Sequence, residues 1–161
     1  MATVVLGTPS RCATLAVTTY RRMEFLDLTD RIDAIVAESG LRQGMINVQS
    51  LHTTAAIIVN EHEPLLLMDF TSLLDRLAPR SGDYQHDDES VRTVNLAPNE
   101  RANGHAHCQA ILLGTSACLN VTGGRLHLGI WQRLFLVELD GPRRREISIV
   151  AVGSFEDGDH R

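Results

Sequence analysis

The last third of the chain sets the tightest limit on its fold. TSACLNV is followed by Gly123-Gly124, then by RLHLGIW and RLFLVELD, and Gly141-Pro142 separates these from REISIVAVG. Short runs rich in β-branched and apolar residues, divided by Gly and Pro turns, pair as hairpins, and successive hairpins build an antiparallel sheet. RCATLAVTT (11–19) carries the same signature, and a short second strand is expected near Met23–Leu26. MINVQSL (45–51) and TTAAIIVN (53–60) read as one long strand or two abutting ones.

Helical spacing is confined to the first two thirds. In DLTDRIDAIVAESG the apolar positions Ile32, Ile35 and Val36 share a face, Thr29 is placed to cap the start and Gly40 to end the helix. EPLLLMDFTSLLDRLAP starts a second helix with Pro64 and closes before Pro79; Leu66, Phe70, Leu73, Leu74 and Leu77 form its expected core stripe. A third helix is possible over Ala106–Leu113, with Asn103 near its start and Gly114 past its end. Two or three helices beside an antiparallel sheet define the class as α+β. At 161 residues and 43% apolar content, one domain over residues 1–161 with its own core is expected.

Charge excludes several partners. A net charge of -5 leaves no electrostatic footprint for nucleic acid. All 15 cations are arginine. No apolar run reaches the about 18 residues of a membrane span. MATVVLGTPSR lacks a basic leader and a signal core, so a soluble cytoplasmic protein is expected. Cys12, Cys108 and Cys118 show no CxxC spacing, which points to a reducing compartment rather than a disulfide framework. EDGDHR reads as a frayed tail.

The chemistry-bearing residues cluster in the middle. His52, His62, His86, His105 and His107 are five of the seven histidines, and imidazole is the commonest metal ligand. In HAH, His105 and His107 share a face if the segment is a strand, and point about 200° apart if it is a regular helix. At the helix entry, non-helical backbone would still allow both rings inward. His127, between Leu126 and Leu128, is expected to face outward from a strand, and His160 reads as a surface residue. Polar RSGDYQHDDESVRTVNLAPNER (80–101) has the length of a functional or mobile loop, though Asp87, Asp88 and Glu89 read as a solvated acidic run. In GPRRRE, Arg143 and Arg145 fall on one face of a strand and Arg144 on the other, so at most two reach one anion site. Walker, dinucleotide-binding, GxSxG and HExxH motifs are all missing.

Taken in order, HTTAAIIVNE, GDYQHDDE, NGHAHCQAILLGTS and GGRLHLGIWQRLFLVELDGPRRR resemble the YjbQ family over about residues 12–152. The resemblance implies an antiparallel β-sandwich-like sheet with two or three helices, assembled as a homotrimer. It also implies a histidine metal site and a secondary thiamine-phosphate synthase activity, in which a pyrimidine diphosphate joins a thiazole phosphate and pyrophosphate leaves. Carried across, the metal ligands are His52, His105 and His107, holding a divalent ion, zinc or magnesium. His86 and Glu61 become the catalytic candidates, with Thr53, Thr54, Asn60, Glu138, Arg143 and Arg145 as the substrate-binding shell. Two departures, Ile130 for an expected threonine and Gln109 for a common lysine, remove polar groups and bear on substrate preference.

Three functions fit this inventory. The first is the synthase acting on phosphorylated small molecules. A metal-dependent hydrolase of an anionic small molecule, with His86 or Glu61 as base, is the second. A trimeric metal- or ligand-binding protein without turnover is the third. Because the ends of TTAAIIVN stand about 25 Å apart, either this strand bends back or one end serves the site of a neighbouring subunit.

Overall fold

The structure, a computed structural model, describes residues 9–156. His160 and most of the two terminal segments discussed above lie outside them. The order is β1 Ser10–Thr18, β2 Glu24–Asp27, α1 Thr29–Ser39, β3 Leu41–Ser50, β4 Ala55–Asn60, α2 Pro64–Leu77 and α3 Gly104–Leu113. Then come β5 Ser116–Thr122, β6 Arg125–Leu126, β7 Arg133–Glu138 and β8 Arg144–Phe155, and a 3-10 turn at Gln85–Asp87 precedes α3. The strands form two antiparallel sheets, one ordered β1-β8-β3-β5-β6 and the other β2-β7-β4. The α+β class and the sandwich-like packing are both realised.

The main core lies between the sheets. Ile46, Val48, Ile147 and Ile149 of the larger sheet meet Ile57, Leu134 and Leu136 of the smaller, and α1 adds Ile32 and Val36. On its other face the smaller sheet packs Ala56, Phe135 and Val137 against Leu74 of α2 and Ala106 and Ala110 of α3. The central strand β7 is therefore covered on both sides, which is why LFLV runs apolar without alternation.

Several local expectations need correction. MINVQSL and TTAAIIVN are two strands in different sheets, β3 and β4, joined across residues 51–54. RLHLGIW is strand only at Arg125–Leu126; the chain then leaves the sheet in a turn closed by Gln132 N–H to Gly129 O at 2.9 Å. His127 is exposed, as expected, but beyond the strand. Thr29 starts α1 without capping it, because its hydroxyl accepts the Leu134 N–H at 2.8 Å; Asp27 instead accepts the Thr29 N–H at 2.9 Å. Gly40 does end the helix in the left-handed region, at φ 72°. In α2, Leu74 is buried and Leu66 and Phe70 partly so, but Leu73 and Leu77 face solvent. The helix touches the sheet along one narrow line only. Its start is fixed by Glu63, whose carboxylate accepts the Leu65 and Leu66 N–H groups at 2.9 and 2.7 Å.

Gly44 of β3 and Gly153 of β8 pair directly across the strands. A Cβ on either would collide with the main-chain carbonyl of the facing strand, Val152 O for Gly44 and Gln43 O for Gly153. Gly153→Ala should therefore destabilise the protein by about 2–4 kcal/mol. Urea unfolding reads this, and an unchanged midpoint would show that β3 and β8 can separate without cost.

Candidate functional site

The site is organised by the turn between β7 and β8. Glu138 ends β7 and Arg145 lies near the start of β8; both side chains are essentially inaccessible to water. Arg145 Nε donates to Glu138 Oε2 at 2.7 Å, while its Nη2 donates to Glu138 Oε1 and to Thr54 Oγ1, the latter at 3.1 Å. Glu138 Oε1 also accepts the Asp140 and Gly141 N–H groups at 3.0 Å, and Oε2 accepts the Thr19 hydroxyl at 2.8 Å. Burial opposes ionisation of Glu138, but the Arg145 guanidinium and these donors outweigh it and hold the carboxyl below its ordinary range. One ion pair thus joins the ends of β1, β4, β7 and β8 and shapes the 139–143 turn.

That assignment changes two expected roles. Glu138 and Arg145 saturate each other inside the protein, so neither offers atoms to a substrate. Thr54 is buried and committed to Arg145, whereas Thr53 is exposed. Arg143 does reach the surface, and it pairs with Asp140. Arg101, preceding α3, approaches the same carboxylate oxygen at 3.7 Å. Asp140 is buried while both guanidiniums remain partly exposed, which leaves two cations around one carboxylate at the rim. Arg144 points away and lies 3.7 Å from Glu146, as its position in the strand predicts.

His52, between β3 and β4, borders this rim. Its Nε2 accepts the Glu146 N–H at 2.7 Å, which makes the neutral ring an Nδ1–H tautomer. Burial, then the Arg145 charge, pushes its pKa below the ordinary value. On the other side stands α3, whose N-terminus is capped by a residue far away in sequence. Asp87 Oδ1 accepts the Asn103 and Gly104 N–H groups at 2.9 and 2.8 Å. At Gly104 a Cβ would collide with Tyr84, so glycine lets the polar segment lie directly on the helix start. Asp87, expected to be solvated, is in fact the clamp between that segment and α3.

Both HAH histidines lie in the first turn of this helix, where rings two residues apart diverge. His105 is buried, and its Nε2 has no hydrogen-bond partner. His107 turns the other way and packs on His86, ring centroids 4.5 Å apart; the His86 Nε2 is also buried and unpartnered. Burial is the main cause lowering the pKa of both His105 and His107, so both are neutral at pH 7. With the His52 Nε2 lone pair already occupied, His52, His105 and His107 do not fit together around one ion within a single chain. Among the described residues, no group of three or more His, Cys, Asp or Glu side chains is arranged to hold a metal.

Asn60 and Glu61 stand elsewhere. The β4–β7 ladder pairs Ala55 with Glu138 at one end and Asn60 with Arg133 at the other, without bending back. The strand carries Asn60-Glu61 away from the arginine rim. Gln109 is buried and donates to Ala78 O at 2.9 Å, tying α3 to the end of α2, while Ile130 is fully exposed on the turn after β6.

Because Glu138 and Arg145 are buried as a bonded pair, removing one partner should cost more than removing both. Arg145→Met is expected to lose about 3–5 kcal/mol, and Glu138→Leu added to it should recover part of that loss. Chemical denaturation of the two variants tests this, and a double variant no more stable than Arg145→Met alone would refute it.

Residues 13–154 match the family described as UPF0047 protein YjbQ-like. The chain is 39% identical over 139 residues to a UPF0047 protein of Methanothermobacter thermautotrophicus, covering 86% of this chain and 90% of that one. It is 32% identical to the UPF0047 protein YugU of Bacillus subtilis, over 87% and 98% of the two chains. Among solved structures, a YbjQ-like protein from Sulfolobus solfataricus superposes with a TM-score of 0.80 at 34% identity, covering 92% of this chain and all of that one. Shared sequence, matching length and the same two-sheet fold lead to one assignment: this chain belongs to the YjbQ (UPF0047) family.

Proposed function

We propose that this chain is an enzyme of phosphorylated small molecules, and that its reaction is the condensation of a pyrimidine diphosphate with a thiazole phosphate. The observation that carries this reading is the convergence of Arg101 and Arg143 on Asp140, beside the neutral His52. In such a displacement a bond forms to the pyrimidine-bearing carbon as its bond to the diphosphate breaks, and pyrophosphate leaves with the electron pair. Two partly exposed guanidiniums suit that growing charge, since each can donate paired hydrogen bonds to phosphate oxygens. Asp140 positions both, and the Glu138–Arg145 pair beneath it fixes the turn that carries Asp140 and Arg143.

A second reading, hydrolysis of a phosphorylated compound, is favoured by the unpartnered Nε2 of His86. That ring lines a small cleft with Arg92, Glu100 and Arg101, and an imidazole nitrogen without a protein partner is the type of group that serves as a general base. Hydrolysis requires a single organic substrate, whereas condensation requires two. Glu61, at the far end of β4, enters neither mechanism within one chain.

The assembly is proposed to be a homotrimer. Its support is the outer face of the larger sheet, where Cys12, Thr14, Met45, Cys118 and Asn120 are exposed and uncharged. Such a face is suited to burial against a second copy. In that assembly Asn60 and Glu61 would reach the site of a neighbour. The exposed thiols of Cys12, Cys108 and Cys118 support a reducing, cytoplasmic location. Among the described residues no helix is long and apolar enough to cross a membrane. The zinc or magnesium ion implied by the resemblance takes no step in this mechanism.

Arg143→Ala should lower pyrophosphate release from the paired substrates by about 100-fold, while Arg144→Ala stays within a few fold of the unaltered protein. Equal losses in a coupled pyrophosphate assay would sink the arginine-rim reading, and phosphate release from one substrate alone would favour the hydrolase. Light scattering of the purified protein is expected to give three copies, with elemental analysis of the same sample and of His52→Ala reading any bound metal. A monomer at micromolar concentration would remove the basis for a shared site.

A further inference from the structure

A second cleft, about 500 Å³ in volume, opens between β2 and α2 and shares no lining residue with the arginine rim. Its size is that of a small-molecule site. Met23 and Phe25 line one wall, and Leu67, Met68 and Thr71 the other. A small cluster of phenylalanines supports this wall. Phe25 packs 6.2 Å from Phe70 and 6.3 Å, edge-on, from Phe135. Three of the chain's four phenylalanines therefore support this one cleft.

The two ends of the cleft are polar in different ways. At one end lie Arg21 and Arg22. The Arg22 guanidinium is bound twice by Asp75, at 3.0 and 3.1 Å. The guanidinium of Arg21 has no partner among the described residues and remains exposed. At the other end, His62 rests edge-on against Phe135 at 5.2 Å, and its Nδ1 is 3.1 Å from Asp27 Oδ2. Asp27 is itself held by Arg133 Nε at 2.8 Å and by the Thr29 N–H. This chain of contacts orients the imidazole and leaves Nε2 for a ligand. β2, which runs along the cleft, spans about 13 Å, the length of a two-ring aromatic with one substituent.

We propose that the β2–α2 cleft binds a planar aromatic compound carrying one anionic group, with its ring between Phe25 and Met68 and its anion on Arg21. An apolar, ring-backed wall favours stacking and sulfur–aromatic contact. The unpaired guanidinium favours a carboxylate or phosphate, and His62 adds one hydrogen bond at the far end. A purely aliphatic ligand would leave Arg21 and His62 unused, and inorganic phosphate would leave the aromatic wall empty. The proposal does not depend on the reaction assigned to the arginine rim.

The chain's methionines make the test direct. Met23 and Met68 line the cleft, and Met45 lies on the outer face of the larger sheet as an internal control. In the full-length protein labelled at methionine methyl groups, titration with 1-naphthyl phosphate should shift Met23 and Met68 saturably with one Kd, while Met45 stays in place. Arg21→Gln should weaken binding about 10-fold, with an unshifted Met45 signal reporting an intact fold. The uncharged 1-naphthol should bind correspondingly less tightly, and inorganic phosphate should leave both cleft methyls unmoved. Equal affinity in Arg21→Gln, equal shifts at Met45, or the same response to phosphate alone would each overturn the proposal.

Discussion

A carboxylate and a guanidinium have both been taken out of water at the centre of this protein, and the surrounding structure follows from keeping them satisfied. Neither Glu138 nor Arg145 retains a route to solvent, so every lone pair and N–H left unmatched would cost free energy in a low-dielectric interior. Their partners come from three places: the hydroxyl of Thr19 at the end of β1, Thr54 at the start of β4, and the Asp140 and Gly141 amides in the β7–β8 turn. The pair therefore ties strand ends of both sheets to one another, β1 and β8 of the larger and β4 and β7 of the smaller.

The exposed chemistry is built on that foundation. Asp140 projects from a turn whose amides are already claimed by Glu138, and this fixed carboxylate gathers Arg101 and Arg143 at the surface. Across the rim, α3 is held in place by Asp87 from the polar segment, so the segment that carries His86 also positions the helix that carries His105 and His107. Covering the smaller sheet on both faces has a further consequence. It brings α2 alongside β2 and opens the cleft whose wall is Phe25.

Reading the residues alone reached much of the fold but less of the site. Strand segments, the α2 start at Pro64, the Gly40 stop and the Gly123-Gly124 and Gly141-Pro142 turns are local events, governed by dihedral preference and periodicity. The opposite facing of Arg144 and Arg145 follows from the two-residue strand repeat, but that repeat puts Arg145 on a site-facing side with Arg143 and gives no sign that it is buried against Glu138. Asp87 was misread as solvated because its partners, Asn103 and Gly104, lie 16 and 17 residues away. Arg101 escapes a reading of the residues for the same reason, since the carboxylate it approaches, Asp140, lies in another segment; Asp140 itself has a local partner in Arg143, three residues on. The tip of RLHLGIW left the sheet although its pattern continued, because β6 pairs with β5 over only two residues.

By itself the sequence determined the α+β class, the antiparallel pairing of its last strands and the family, since these depend on short-range periodicity, turn chemistry and the order of motifs. Tertiary structure alone decided which of the polar residues are available for chemistry. Glu138, Arg145 and Thr54 became internal supports, Asn60 and Glu61 went to the far end of β4, and the HAH histidines were turned apart by their helix. Availability depends on who else is buried nearby, and burial is settled only when distant segments pack.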